Sequence, residues 1–139
     1  MVHKATQEIA QMLDQRNFKY DTIESGTSSR LICGINGKYV TYKIQFISLD
    51  DDNDVAVRAF DLVKFPEEKK ADMTLFANEC NSKYRFVKFV VNGNDNTLQL
   101  EVDLPAKNEE PAEIAFEMLV RIIRIMDEMG ADMMRRVWA

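Results

Sequence analysis

The sequence predicts a single-domain α+β protein in which helices pack on a mainly antiparallel sheet. Three observations favour this class. The chain has 139 residues, the length of one domain with its own hydrophobic core. Apolar residues at helical spacing mark both ends of the chain and a segment before Tyr84, while alternating apolar residues mark segments 30–49 and 84–105. The predicted order over residues 1–139 is therefore helix, four strands, helix, β-hairpin, helix.

Composition and charge argue against several classes of function. Hydrophobic residues make up 46% of the chain and charged residues 29%, which is typical of a globular protein rather than a disordered one. The formal net charge is −5 and no cluster of Lys and Arg stands out, so nucleic acid is not an expected partner. The densest apolar stretch, 114–126, is interrupted by charged residues, which argues against a membrane span.

The expected compartment is the cytoplasm. The N-terminus lacks the continuous apolar stretch of a signal peptide. Cys33 and Cys80 form no CxxC pair, so both are predicted to be small buried residues in a reducing environment.

The N-terminal elements follow from local patterns. Residues 4–16 are predicted to form a helix that ends at Asn17. Alternation over 18–23 predicts a strand, and the small polar residues of 24–29 predict a loop. The predicted core positions of the helix are Ala5, Ile9, Met12 and Leu13.

A first hairpin is predicted around Asn36-Gly37. This dipeptide favours a type I′ turn, in which both central residues have positive φ. Strand 30–35 precedes the turn and strand 38–49 follows it. The next apolar run, 55–65, keeps no single period, and a bulge and a two-sided strand explain it equally well.

A second helix is predicted to begin at Pro66-Glu67-Glu68, since proline and acidic residues favour a helix start. It is predicted to end at Asn81 or Ser82. Its predicted apolar stripe consists of Ala71, Leu75, Phe76 or Ala77, and Cys80.

A second hairpin, with strands 84–91 and 97–105, closes over a turn of Asn, Gly and Asp. Strand 84–91 has apolar residues on both sides, which predicts a place in the middle of the sheet. Pro111 is predicted to begin the last helix.

No catalytic, cofactor or metal site is predicted. The single histidine, His3, excludes a site built from several histidines. The acidic run 50–54 has the alternate spacing of a calcium loop but lacks the glycine and glutamate that such a loop needs, so a hairpin turn is predicted there. The pairs Glu67-Glu68 and Glu109-Glu110 lie at helix starts, where negative charge is favourable without any catalytic role.

The last helix is the strongest candidate for function. Five of the eight methionines lie in it, and apolar residues cover more than half of its circumference between Ile114 and Met126. Two interpretations stay open: a methionine-rich core helix, or a helix with one face on the sheet and the other on a partner. The candidate protein-binding or dimer residues are Phe86, Lys88, Val90, Met118, Ile122, Ile125, Met126, Met129 and Met133.

Residues 66–105 carry a family resemblance. A Pro-Glu helix start leads to an Asn-rich helix end (Asn78, Asn81), then to a Phe-containing strand, a polar turn and a strand that ends in Leu104-Pro105. This pattern, followed by a long apolar helix, resembles the YbjN-like family of small bacterial proteins. Proteins of that family share the fold of type III secretion chaperones, including the Tir-chaperone type.

The resemblance implies a homodimer that binds protein segments on its sheet and helix surfaces, without a cofactor or catalysis. It also implies stress or motility regulation rather than secretion. Two alternatives remain: a small-molecule sensor with a pocket between the sheet and the last helix, and a regulatory protein with one constitutive partner.

Overall fold

The computed structural model describes residues 3–49, 54–107 and 110–138. The acidic run predicted to form a turn lies largely outside these ranges, as do Asn108 and Glu109. The helices are α1 (Lys4–Gln15), α2 (Lys70–Lys83) and α3 (Pro111–Trp138), and a 3₁₀ turn, Glu67–Lys69, precedes α2. The strands are β1 (Asp21–Ser25), β2 (Ser28–Asn36), β3 (Thr41–Ser48), β4 (Asp54–Lys64), β5 (Lys88–Asn92) and β6 (Thr97–Pro105). The predicted order of elements is confirmed.

The strands form one six-stranded sheet in the order β1-β2-β3-β4-β6-β5, and all neighbouring strands are antiparallel. The predicted α+β class is therefore confirmed. The prediction that strand 84–91 lies in the middle of the sheet is wrong, because β5 is an edge strand. Only one side of this segment is buried, with Val87 and Phe89 in the core and α2 packed against β5, whereas Val90 on the other side is exposed.

The helices cover one face of the sheet. Residues that alternate along the strands, such as Leu31, Phe46, Val57 and Leu100, are almost fully buried and belong to one hydrophobic core. Helices α1 and α3 pack against each other; α1 contacts β2 and β3, and α3 contacts β4 and β6. The opposite face of the sheet carries mainly exposed and half-buried side chains.

Helix α1 matches its prediction. Ala5, Ile9, Met12 and Leu13 are buried, and Asn17 has a φ of 62° directly after the helix. The backbone N–H of Phe18 donates to the carbonyl of Leu13 at 2.9 Å, and that of Asn17 donates to Asp14 at 3.2 Å. These two bonds form a Schellman motif, in which asparagine tolerates the left-handed conformation.

The first half of the sheet corrects two predicted turns. The segment 24–29 is a tight hairpin rather than a loop, with Gly26 at a φ of 60° between β1 and β2. At the next turn Asn36 pairs with Thr41, so four residues connect the strands and the predicted two-residue type I′ turn at Asn36-Gly37 is wrong. Glycine is needed here for another reason, since a Cβ at Gly37 would lie 2.7 Å from the carbonyl oxygen of Val40.

Strand β4 contains a bulge. Its pairing with β6 shifts between Ala59 and Val63, and Asp61 has a φ of 52°. The shift exposes Phe60 and returns Leu62 to the core. Of the two alternatives for this run, the structure therefore selects the bulge.

Helix α2 corrects the predicted apolar stripe. Ala71 and Leu75 are exposed, and the helix continues to Lys83. The buried positions follow the i, i+3, i+4, i+7 pattern of one helix face, which passes beside Ala71 and Leu75. These buried residues are Met73, Phe76, Ala77 and Cys80.

A buried hydroxyl cluster joins α1 to the sheet. The Thr6 Oγ1 lies 2.8 Å from the Ser29 Oγ and donates to the Ser48 Oγ at 3.1 Å, and all three residues are at most 2% exposed. Thr6→Val keeps the side-chain shape and leaves two buried hydroxyls without this partner. We expect the free energy of unfolding to fall by about 1–3 kcal/mol. Urea unfolding measures this, with exposed Thr22→Val as the control, and equal effects of the two substitutions would contradict the role of the cluster.

Candidate functional site

The structure places the six candidate residues of α3 in the core. Met118, Ile122, Ile125, Met126, Met129 and Met133 are each at most 5% exposed. The hypothesis that they form a surface for a partner is therefore wrong for the folded chain. The reason is that α3 contacts α1, α2, β4 and β6, so the core itself uses most of the helix circumference.

The outward side of α3 is mainly charged. It includes Glu113, Glu117 and Arg124, with Val120 as an exposed apolar residue among them. Trp138 is 78% exposed at the end of the helix. The apolar pattern in the sequence thus described a core helix rich in methionine.

Helix α2 borders β5: the Lys88 ammonium donates to the carbonyl of Asn81 at 3.5 Å, and Val90 lines a groove together with Asn78 of α2. Lys88 and Val90 are both exposed, on the side of β5 opposite to the buried Phe89. We call this side of the sheet the open face. Its side chains alternate with the core residues of strands β2 to β6. The open face includes Arg30, Ile32, Lys43, Gln45, Ile47, Ala56, Arg58, Phe60, Lys88, Val90, Gln99, Glu101 and Asp103.

An ionic network crosses the middle of the open face. The Arg58 guanidinium donates to the Asp103 carboxylate at 2.8 Å and to the carbonyl of Val102 at 3.2 Å, and its Nε lies 3.8 Å from Glu101. On the neighbouring strands Arg30 donates to the Gln45 side chain at 2.8 Å. The face therefore has ordered polar groups at its centre.

Apolar side chains lie around this network. Phe60 is 38% exposed and Val90 37% exposed, while Ile47 is buried without belonging to the main core. A surface that combines aromatic, aliphatic and arginine side chains has the composition of a protein contact. The sequence indicated this face only through the candidates Lys88 and Val90 and through the broken period around Phe60.

Phe86 does not belong to strand β5. Its φ is 69°, and the N–H of Val87 donates to the carbonyl of Arg85 at 2.8 Å. These features define a γ-turn of the strained kind, and we call residues 85–87 the Phe86 turn. The turn directs Phe86 towards α3, where the Arg121 guanidinium lies 5.1 Å from the ring centroid. The side chain remains 59% exposed.

The outer edge of β5 is closed by a side chain. The Asn81 amide donates to the carbonyl of Phe89 at 3.0 Å, and the Asn81 Oδ1 accepts from the N–H of Phe89 at 2.6 Å. Asparagine here imitates a neighbouring strand and satisfies one backbone position of the edge. The sequence indicated Asn81 only as a helix end.

The thiols are poor candidates for chemistry. Burial raises the pKa of Cys33 to about 11. Burial, with a smaller contribution from Glu79, also raises the pKa of Cys80 to about 11. A nucleophilic cysteine needs a lowered pKa, so neither thiol is activated.

The described residues form neither a metal-binding cluster nor a helix suited to crossing a membrane. Within 3–49, 54–107 and 110–138, no three His, Cys, Asp or Glu side chains come together to hold a metal ion. In the same ranges no helix is both long and apolar enough to cross a bilayer. His3 lies at the start of α1, with its Nε2 2.6 Å from the carbonyl oxygen of Thr27.

One open cleft lies between α1 and the start of α3. Its volume is about 360 Å³, and Gln11, Arg16, Glu113 and Phe116 are among its lining residues. The Arg16 guanidinium stacks on the Phe116 ring at 3.9 Å from the centroid. The cleft lies between two helices and not between the sheet and α3, where the sequence-based alternative placed a pocket.

These features define a small α+β protein with helices on one face of an antiparallel sheet and an open second face. The chain belongs to the YbjN family, whose profile matches residues 6–136 and is described as "Putative bacterial sensory transduction regulator". The resemblance seen in residues 66–105 is thereby confirmed. The family is described as regulators and not as enzymes.

A solved structure shows the same fold. The crystal structure of YbjN from E. coli, described as "a putative transcription regulator", aligns with a TM-score of 0.55 and 18% sequence identity. The alignment covers 91% of this chain and 92% of that chain. At this identity the likeness concerns the fold. No curated protein sequence matches the chain.

Proposed function

We propose that this chain is a non-catalytic regulatory module that binds protein segments on its open face and acts as a homodimer in the cytoplasm. The observation that carries the proposal is the sheet itself: six strands are covered by helices on one face, and the other face keeps Phe60, Val90 and the Arg58 network accessible. Membership of a family described as regulators supports the regulatory part.

A polypeptide fits the open face better than a small molecule does. Small-molecule sites are concave and bury most of the ligand. The open face instead spreads its apolar side chains over several strands, with Phe60 on β4 and Val90 on β5 separated by β6. An extended segment can reach both, and arginine and aromatic side chains are enriched where proteins meet.

The dimer rests on the resemblance to secretion chaperones. The α3 methionines at the candidate positions are buried in the core, so they are not available to a dimer interface. A dimer would therefore use an exposed surface. A small-molecule sensor is the second candidate, and the cleft of about 360 Å³ between α1 and α3 is the observation that favours it.

The test uses peptides selected from a random display library on the full chain. We expect Phe60→Asp and Val90→Asp each to weaken the selected peptides by about tenfold or more, because a charge would replace an apolar contact at a binding surface. Fluorescence anisotropy measures the affinity. Leu75→Asp on α2 is the matched control, since Leu75 is 53% exposed and belongs to a helix instead of a strand of the open face.

Two results would contradict the proposal. If no peptide is enriched, the binding of protein segments is refuted, and if Leu75→Asp weakens binding as much as Phe60→Asp, the open face is not the site. Light scattering at micromolar concentration tests whether the chain is a dimer. If the measured mass is that of a monomer, the homodimer part of the proposal is refuted. Thermal melting of each variant checks that the fold is intact.

A further inference from the structure

We propose that two copies of this chain stack their open faces on each other, around a twofold axis that runs parallel to the strands between β3 and β4. The inference rests on the proposed function, because it gives the homodimer an interface. In the dimer the open face is covered, and a protein segment that binds this face separates the two copies. Three features carry the inference: balanced charge, opposite charges at symmetric positions, and the size of the face.

The open face carries equal numbers of positive and negative side chains. On this side of the sheet the described residues include the cations Arg30, Lys43, Arg58, Lys64 and Lys88, and the anions Asp21, Asp54, Asp61, Glu101 and Asp103. The whole chain has a net charge of −5, so two copies repel each other in most orientations. A face without net charge is where a second copy can approach with little repulsion, and it offers no excess charge to a segment of one sign.

The strand register relates the two halves of the face by symmetry. One row of paired residues crosses all six strands, in the order Asp21, Ile32, Gln45, Arg58, Glu101 and Lys88. The gap between β3 and β4 is the middle of this row. A twofold rotation about an axis in that gap lays β2 of one copy on β6 of the other, and β3 on β4. Such an interface uses the same surface on both copies and must be complementary to itself.

The neighbouring row shows this complementarity. It contains Ile23, Arg30, Ile47, Ala56 and Asp103, in strand order from β1 to β6. Under the rotation, Arg30 of one copy faces Asp103 of the second copy, and Ile47 faces Ala56. The symmetry repeats each contact, so two Arg–Asp pairs lie on either side of an apolar centre.

The outer strands fit the same arrangement. In the row that crosses the whole sheet, Asp21 on β1 of one copy faces Lys88 on β5 of the second copy. The Lys88 ammonium also contacts the carbonyl of Asn81, because α2 borders this edge. The four central strands therefore carry the argument, and the outer pair adds to it.

A twofold axis across the strands is disfavoured. It would lay β6 on β6, so that Glu101 and Asp103 of the two copies meet. Like charges that face each other across an interface oppose association. The charge pattern thus selects the axis that runs parallel to the strands.

The size of the face suits a reversible dimer. Six strands about 4.8 Å apart span about 24 Å, and the strands rise by about 3.4 Å per residue. Since β2, β3 and β6 have 9, 8 and 9 residues and the edge strands are shorter, the flat area is on the order of 500 Å² per copy. Interfaces of this size are at the small end of the range, where complexes form and separate readily.

Charge reversal tests the interface in the full chain. Arg30→Asp and Asp103→Lys each place like charges opposite each other at both symmetric contacts. We expect each variant alone to raise the dissociation constant of the dimer by about tenfold or more. An equimolar mixture of the two variants brings opposite charges together at both contacts and should recover the dimer. Sedimentation velocity over a concentration series measures the dissociation constants.

The mixture also guards against a folding defect, because only folded variants can recover the dimer together. Arg124→Asp on α3 is the matched control, since Arg124 is exposed on a helix instead of a strand of the open face. It should leave the dissociation constant unchanged. A display-selected peptide added to the unmodified dimer should convert it to a monomer bound to peptide.

Three results would overturn the inference. If the chain is a dimer that neither charge reversal weakens, or if the mixture does not recover it, the dimer uses another surface and the homodimer of the proposed function survives. If a peptide that depends on Phe60 binds without separating the dimer, the open face binds segments but is not the dimer interface. If the unmodified chain is a monomer throughout the series, this inference and the homodimer fail together, whereas segment binding is judged separately by the Phe60→Asp variant.

Discussion

Ile122→Ala is expected to lower the free energy of unfolding by about 2–5 kcal/mol, a large share of the stability of a domain of this size. Ile122 has 0% exposure and lies on the side of α3 that faces the core. Removing three carbon atoms there leaves a cavity that the neighbouring helices and strands fill only in part. Urea unfolding gives the value directly.

Val120→Ala is the control for this experiment. Val120 is two positions away on the same helix and 47% exposed, so its truncation should change the unfolding free energy by less than about 0.5 kcal/mol. Equal effects of the two substitutions would contradict the assignment of the α3 methionine and isoleucine residues to the core. If Ile122→Ala dissociates a dimer without lowering the free energy of unfolding, the side of α3 that carries Ile122 is a dimer interface and not part of the core.

Asn81→Ala is expected to destabilise the protein and to promote self-association. The variant removes both hydrogen bonds to Phe89, and each unsatisfied, partly buried backbone group costs about 1–3 kcal/mol. It also opens the edge of β5 to pairing with another chain. Unfolding measurements give the first effect, and light scattering over a concentration series gives the second.

Asn78→Ala tests whether the position or the amide matters. Asn78 precedes Asn81 by three positions on α2 and is exposed, so the same substitution there removes no bond to the strand. We expect Asn78→Ala to have the same free energy of unfolding as the unmodified chain and to show no additional self-association. Identical behaviour of the two alanine variants would refute the role of Asn81 in closing the edge.

Much of the fold was predictable because its signals are local. The α1 pattern and its Asn17 end depend on residues within one helix, and the alternation of Leu31 and Cys33 depends on one strand. The position of β5 at the edge depends instead on which distant strand pairs with β6, and in this chain that strand is β4. The sequence of segment 84–91 does not show which strand pairs with the other side of β6.

The functional surfaces were harder to predict for the same reason. Apolar residues cover most of the circumference of α3, which suggested a binding partner. The sequence of a helix does not show how many elements of the same chain pack around it, and here four elements do. The contact between the Phe86 ring and the Arg121 guanidinium joins residues more than thirty positions apart in the chain. The positive φ of Phe86 has no sequence signal, since glycine and asparagine are the residues that normally indicate it.

The most direct test of protein binding by the open face is a nuclear magnetic resonance titration of the isotope-labelled chain with a display-selected peptide. The expected result is a set of backbone amide shifts at Gln45, Arg58 and Val90, while amides of α1 stay unchanged. Shifts confined to the cleft around Arg16 and Phe116 would contradict this account and support a ligand between α1 and α3.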